Sequence, residues 1–319
     1  MKVTAVVSTK GGPGKTTVGV NLGAFCADAG IRTLLIDLDN QPSLSSFYAL
    51  SHEAPGGTYQ LIANNETRAD QVISRTCIPN LSLIHSNDPF NQLGTLLLHA
   101  ADGRLRLKNL LPAFEQDFDL ILIDTQGARS IVLEMALLGA HMAISAITPD
   151  MLTAREFQRG MLQLYRDLEP LAALGAVTPM LNVVINKLDA TNDANLIYHT
   201  LTETFADHPK VQMIQTTIPA AVSFRRAATE GIPAHRLEYR LPTHRRSPTA
   251  FKVIKDLSIE LFPEWRSKFE ALNEERLSQN ISLLSNRVAL GHGGVYETRG
   301  DSSRRSALIY MTRSRAGRP

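Results

Sequence analysis

The densest chemistry in the chain lies near its start, in Lys10-Gly11-Gly12-Pro13-Gly14-Lys15-Thr16-Thr17. Glycines at 11, 12 and 14 let the backbone turn its N–H groups toward one point, which is what binding a polyphosphate requires. A helix beginning near Thr16 adds the positive end of its dipole. Lys15 is placed to contact the β- and γ-phosphates of a nucleotide, and the Thr16 hydroxyl to ligate Mg²⁺. The usual phosphate-loop pattern has glycine at position 9. This chain has Thr9 there, and an additional lysine, Lys10, opens the loop.

Acidic residues follow apolar runs at two further places. Ile36-Asp37-Leu38-Asp39-Asn40-Gln41-Pro42 closes one run, and Leu120-Ile121-Leu122-Ile123-Asp124 ends on a carboxylate. A carboxylate at the C-terminal end of a strand faces the ligand crevice of an open α/β sheet. Asp124 is expected to hold Mg²⁺ through water. Asn186-Lys187-Leu188-Asp189 ends another apolar run. It mimics the guanine-reading N-K-x-D of GTPases and raises GTP as a rival nucleotide. ATP is favoured because the phosphate loop is the stronger signal.

These residues must be positioned by alternating strands and helices. Residues 2–8 read as a buried strand, the segment from Thr16 to Gly30 as a helix, and 32–37 as a second strand. Further strands are expected at 81–86, 119–124, 141–148 and 180–186, with extended chain over 211–219. Helices are expected over 92–116, 153–168 and 195–206. The strands are continuously apolar rather than alternating, which implies a parallel sheet covered on both faces. The predicted fold is α/β, a doubly wound, mostly parallel sheet flanked by helices. Trp265, Phe269, Leu272, Leu277, Ile281, Leu284 and Val288 recur at helical spacing, predicting one amphipathic helix within 263–290. Residues 291–319 turn to Gly, Ser and Arg and read as a basic, disordered tail.

The chain has 319 residues, 44% hydrophobic, with a net charge of +2. No whole-molecule field therefore drives it toward nucleic acid or membrane. Cys26 and Cys77 form no metal-spaced pair, which argues against an iron–sulfur protein or a disulfide framework. The N-terminus lacks the apolar stretch and cleavage site of a signal peptide. The longest apolar region, Leu133 to Thr148, is interrupted by Glu134 and His141 and is too short to span a bilayer. A cytoplasmic protein is expected.

The lysine-opened loop resembles the deviant Walker A motif of the ParA/MinD family, the signature-lysine P-loop ATPases. With it, Asp37-Leu38-Asp39-Asn40-Gln41 resembles that family's D-x-D-x-Q segment. The resemblance covers most of residues 1–262 and implies a P-loop NTPase of the SIMIBI type using ATP and Mg²⁺. It implies that Lys10 reaches across a dimer to the partner's nucleotide and that Asp39 positions the attacking water. Asp37 is implied near the magnesium shell with Thr16 and Asp124, and Gly11, Gly12, Gly14, Lys15, Thr16 and Thr17 around the phosphates. Asn186 and Pro219 are implied beside the base. Thr125-Gln126-Gly127-Ala128 lacks the prolines many members carry and looks more like the subgroup of the T-DNA transfer protein VirC1.

In that family, basic residues after the I-P segment hold DNA without sequence preference. Here Arg225, Arg226, Arg236, Arg240, Arg245 and Arg246 outnumber Glu230 and Glu238. Arg225, Arg226, Arg245 and Arg246 are the expected DNA contacts. The expected activity is that of a ParA-type ATPase: it dimerises on ATP, coats DNA at the nucleoid and positions a plasmid, chromosome or integrative element. A ParB-like partner stimulates hydrolysis. No operator-binding segment is expected ahead of the first strand. The alternatives are a conjugation accessory ATPase and a MinD-like membrane-associated regulator. Membrane binding is disfavoured, because the charges of the 263–290 helix cancel where a membrane-surface helix would be basic.

Overall fold

The computed structural model describes residues 1–189, 191–241 and 247–289. Among them lie ten strands: β1 (Lys2–Val6), β2 (Thr33–Asp37), β3 (Leu50–His52), β4 (Ser74–Thr76), β5 (Leu81–Ile84), β6 (Leu120–Asp124), β7 (Met142–Ile147), β8 (Met180–Leu188), β9 (Val211–Met213) and β10 (Ile218–Pro219). They form one sheet in the order β10-β8-β7-β1-β6-β2-β5-β4-β3, with β9 also pairing β8. Every pairing is parallel except β3 with β4 and β4 with β5, which add an antiparallel edge. The order reverses at β1, so the loops leaving β1, β2 and β6 open together at one end of the sheet, as a doubly wound fold requires.

Helices cover both faces. They are α1 (Lys15–Asp28), α2 (Thr58–Ala63), α3 (Ala69–Val72), α4 (Gln92–His99), α5 (Arg106–Leu110), α6 (Ile131–Gly139), α7 (Met151–Phe157), α8 (Gln163–Leu168), α9 (Asn192–Phe205), α10 (Val222–Glu230), α11 (Ala234–Leu237), α12 (Ala250–Leu261), α13 (Arg266–Ala271) and α14 (Glu274–Ala289). Successive strand residues point to opposite faces. Leu34, Ile36, Ile121 and Ile123 therefore join the core under α4 to α9, while Leu35, Leu120 and Leu122 join the core under α1 and α12. Both faces are buried, which is why the strands read as unbroken apolar runs.

Three expected elements differ. The 92–116 helix is two helices and a 3₁₀ turn, broken at 100–105. A Cβ on Gly103 would sit 2.0 Å from the Leu97 carbonyl oxygen, so the chain turns there on a residue that has none. The helix after β7 contains a π turn at Gln158–Leu162. The single helix expected within 263–290 is a 3₁₀ turn followed by α13 and α14. The break falls where Leu272 dives into the core, fully buried. There Lys255 Nζ donates to the Glu270 and Leu272 carbonyls at 3.2 and 2.9 Å, and Asn273 Oδ1 accepts from the Arg276 N–H at 2.8 Å, starting α14 afresh. Phe269, Leu272 and Leu277 belong to the same core as α1 and α12. The tail 291–319, Arg245 and Arg246 lie outside the described residues.

Candidate functional site

The loop from Val7 to Gly14 joins β1 to α1 and floors a cavity of about 500 Å³. Gly12 and Gly14 have φ of 95° and 98°, left-handed values that favour glycine. Gly14 is the N-cap of α1, and Lys15 is its first residue, 6% exposed. The cavity is lined by Gly11, Gly12, Gly14, Lys15, Thr16 and Thr17 from the loop and α1. Asp39, Asn40, Gln41 and Ser43 come from the β2 loop, Gln126, Gly127 and Ala128 from the β6 loop, and Lys187 from the end of β8. The first three of these four segments meet because β1, β6 and β2 are neighbours in the sheet, with β8 two strands away from β1.

Behind the cavity floor stand two carboxylates. Parallel pairing places Asp37 beside Asp124. Asp124 Oδ2 accepts the Thr16 hydroxyl at 2.8 Å, and Oδ1 accepts the Thr125 N–H at 3.1 Å. Asp37 Oδ2 accepts both the hydroxyl and the N–H of Ser45, and its Oδ1 accepts the Asp39 N–H. Burial, and next the charge of Asp37, push the Asp124 carboxyl up to about 7 against the partial relief of Thr16 and Lys15. Burial pushes Asp37 up to about 6, opposed by its bonds to Ser45. Two buried acidic groups, when ionised, carry more negative charge than Lys15 alone balances. The hard oxygens of Thr16 and Asp124, with space above them, suit a divalent cation such as Mg²⁺.

The loops around this floor are stitched together. The Ser86 N–H donates to Ser45 Oγ and the Ser86 hydroxyl to the Asp39 carbonyl. Gln126 Nε2 reaches Asn40 Oδ1 at 3.3 Å, tying the β6 loop to the β2 loop. A Cβ on Gly127 would lie 2.8 Å from Gly11 Cα, so the β6 loop rests backbone to backbone on the phosphate loop. That approach leaves no room for a proline at 127. Arg129 continues outward to Asp167 on α8 at 2.6 Å.

The remaining expected residues divide. Lys10 does not enter the cavity of its own chain; its Nζ lies 2.5 Å from Glu156 on α7. Asn186, 2% exposed, sits behind the loop with its amide Nδ2 donating to the Pro13 carbonyl. Pro219 stands on the strand edge in register with Leu188 and is not among the cavity's lining residues. Arg225 and Arg226 are exposed on α10, and Arg226 bonds Glu230 one turn on. The basic stretch is smaller than its sequence suggested. Arg236 is 5% exposed, with its guanidinium on Asp28 of α1 at 2.6 Å and His235 Nε2 on the same carboxylate at 2.9 Å. Ser45, Ser86, Glu156 and Lys187 were missed as site residues. Only Lys187 carried a signal, in the N-K-x-D string.

A strand–loop–helix phosphate cradle backed by strand-end carboxylates on a mostly parallel sheet defines a P-loop nucleoside triphosphatase. The AAA_31 family model, described as AAA domain, matches residues 1–173. The chain is 28% identical over 242 residues to the chromosome-partitioning ATPase Soj of Treponema pallidum, covering 73% of this chain and 88% of that one. Among solved structures, an ATP complex of Cyanothece McdA superposes with a TM-score of 0.65 at 21% identity, over 88% of this chain and 96% of the other. The ADP- and magnesium-bound cobyrinic acid a,c-diamide synthase of Mycobacterium smegmatis gives 0.60 at 23%, over 78% and 98%. The chain belongs to the ParA/MinD family of P-loop ATPases.

Proposed function

We propose that this protein is a ParA-type ATPase that closes into a dimer over two ATP molecules, holds DNA without sequence preference in that state, and positions a DNA cargo at the nucleoid. The observation that carries the proposal is Lys10. A fold shared with an amide-forming synthase does not by itself separate a switch from a ligase. A lysine at the mouth of the phosphate loop, half-exposed and turned away from its own cavity, suits delivery to the nucleotide of a second copy. Phosphoryl transfer needs positive charge on the oxygens of the transferring group, and supplying it from the partner couples hydrolysis to assembly.

Within one subunit, Lys15 and the loop amides hold the phosphates. Asp39, at the cavity wall beside Gln41 and Ser43, orients the attacking water. Thr16 and Asp124 hold Mg²⁺, which screens the β- and γ-phosphate charge when bound. ATP is the nucleotide, although Asn186 is buried behind the loop with both amide atoms bonded and Pro219 stands outside the cavity lining, so neither reaches a base from where it lies. Asp189 Oδ1 already accepts from the Thr191 hydroxyl and N–H, which disfavours the two-pronged grip on guanine that a free carboxylate would offer. Arg225 and Arg226 on α10, with Arg245 and Arg246 beyond the described residues, supply phosphate contacts to DNA. A ParB-like partner accelerates hydrolysis and releases the dimer. Among the described residues no helix is long and apolar enough to cross a membrane. Leu277 of α14 is buried in the core, which ties the start of that helix to the domain.

Asp39→Ala tests the cycle. With ATP the variant is expected to run as a stable dimer by light scattering and to shift random-sequence DNA, while ADP leaves it monomeric. Reversing Arg225 and Arg226 to Glu in that background should keep the dimer and weaken DNA binding at fixed salt at least tenfold. A variant that stays monomeric in saturating ATP removes the proposed function.

A further inference from the structure

β8 delivers two residues to the phosphate loop, Asn186 behind it and Lys187 at the rim of the cavity. Asn186 Nδ2 donates to the Pro13 carbonyl at 2.8 Å, and its Oδ1 accepts the Lys187 N–H at 2.9 Å. That fold-back puts Lys187 at φ 57°, the left-handed region. From there its Nζ donates to the Gly12 carbonyl at 3.1 Å. Fit is close at this seam: the Cβ that Gly14 lacks would stand 2.0 Å from Asn186 Nδ2. A left-handed backbone is unfavourable for lysine and persists only where surrounding contacts impose it.

The physical need is plain. A loop that turns its N–H groups inward to a polyphosphate turns carbonyls outward, and these need donors of their own. Gly12 and Pro13 present consecutive outward carbonyls, and one dipeptide from a different strand satisfies both. We propose that Lys187 is a positioning residue for nucleotide binding: its ammonium group pins the Gly12 carbonyl outward and so keeps the loop amides turned toward the polyphosphate of a nucleoside di- or triphosphate. The Asn186-Lys187 pair then serves the loop rather than a guanine base. The inference rests on the nucleotide-site reading above.

Lys187→Gly and Lys187→Asn separate this role from mere occupancy. Both residues tolerate the left-handed backbone, and neither reaches Gly12. Two readouts are taken on the full chain: amide hydrogen exchange of the 11–17 segment without nucleotide, and ADP affinity by calorimetry at 0.1 and 0.5 M NaCl. The expected result is a thermal midpoint equal to or above wild type, at least fivefold faster loop exchange, and at least fivefold weaker ADP binding at both salt concentrations. Loop exchange within twofold of wild type overturns the proposal. So does an affinity loss that vanishes at 0.5 M NaCl, because the lysine would then act only as a distant charge. A wild-type protein that binds no ADP would instead refute the nucleotide site itself, while the exchange measurement would still decide what Lys187 does to the loop.

Discussion

Asp124 carries opposite consequences for stability and activity. Its carboxyl is buried and raised to about 7 in the folded chain, against about 4 for an unfolded aspartate. A group whose folded value is raised contributes stability below the unfolded value and loses it as pH rises through the folded one. Between pH 5 and 8 the nucleotide-free protein should therefore lose stability from this group, with Asp37 adding in the same direction. Asp124→Asn removes the ionisable proton site and retains an acceptor for Thr16. It is expected to stabilise the nucleotide-free protein at pH 8 by about 2 kcal/mol in urea unfolding, with the gain shrinking at pH 5, and to cut Mg²⁺-dependent ATP hydrolysis at least 100-fold. A pH-independent gain would show that the carboxylate is not titrating as described.

At the scale of elements, the phosphate-loop helix is anchored at both ends. Its start is held by Asn186 and by the bond from Thr16 to Asp124. Its end is held by Asp28, which takes both His235 and Arg236 of α11 in a fully buried cluster, with the Phe25 ring edge-on to His235 at 5.3 Å. Burial opposes the Asp28 charge, yet Arg236 and His235 together hold its carboxyl below the usual range. Removing one member leaves the other charge stranded, which costs about 3–5 kcal/mol. Arg236→Ala should lower stability by that amount at pH 7. The penalty should narrow as pH falls toward 4, where a stranded Asp28 takes up a proton; urea midpoints across that range measure it. An unchanged midpoint at pH 7 would show that the cluster does not hold α1 to α11. The 263–290 segment was legible as apolar at helical spacing, but its break was not. Lys255 and Leu272 decide it, and neither contact is local in sequence.

At the scale of the whole molecule, the proposed dimer requires Lys10 to leave Glu156 before it can serve a second copy. Both side chains are about 40% exposed, so the pair contributes at most about 1 kcal/mol. Each subunit of the dimer gives up one such pair, so Glu156→Gln should lower the protein concentration at which ATP produces half-dimer by up to about thirtyfold, read by sedimentation velocity. A variant that needs more protein to dimerise would show that Glu156 helps the assembled state instead. The π turn at Gln158–Leu162 lies on the same helical run. There a Cβ on Gly160 would meet Thr9 Oγ1 at 2.1 Å, so this run bears directly on the start of the phosphate loop.

What the sequence determined by itself was the local part: a loop whose glycines and lysines suit phosphate, and apolar runs of strand length alternating with helical ones. Those depend on backbone freedom and on burial of a single segment, both written in consecutive residues. The tertiary structure decided every feature that needs two distant segments. Asp37 meets Asp124 because β2 and β6 pair in that register. Thr16 finds an acceptor 108 residues away. Arg236, counted from sequence with the basic surface, is instead buried on Asp28, because a charge's partner is set by packing and not by its neighbours along the chain.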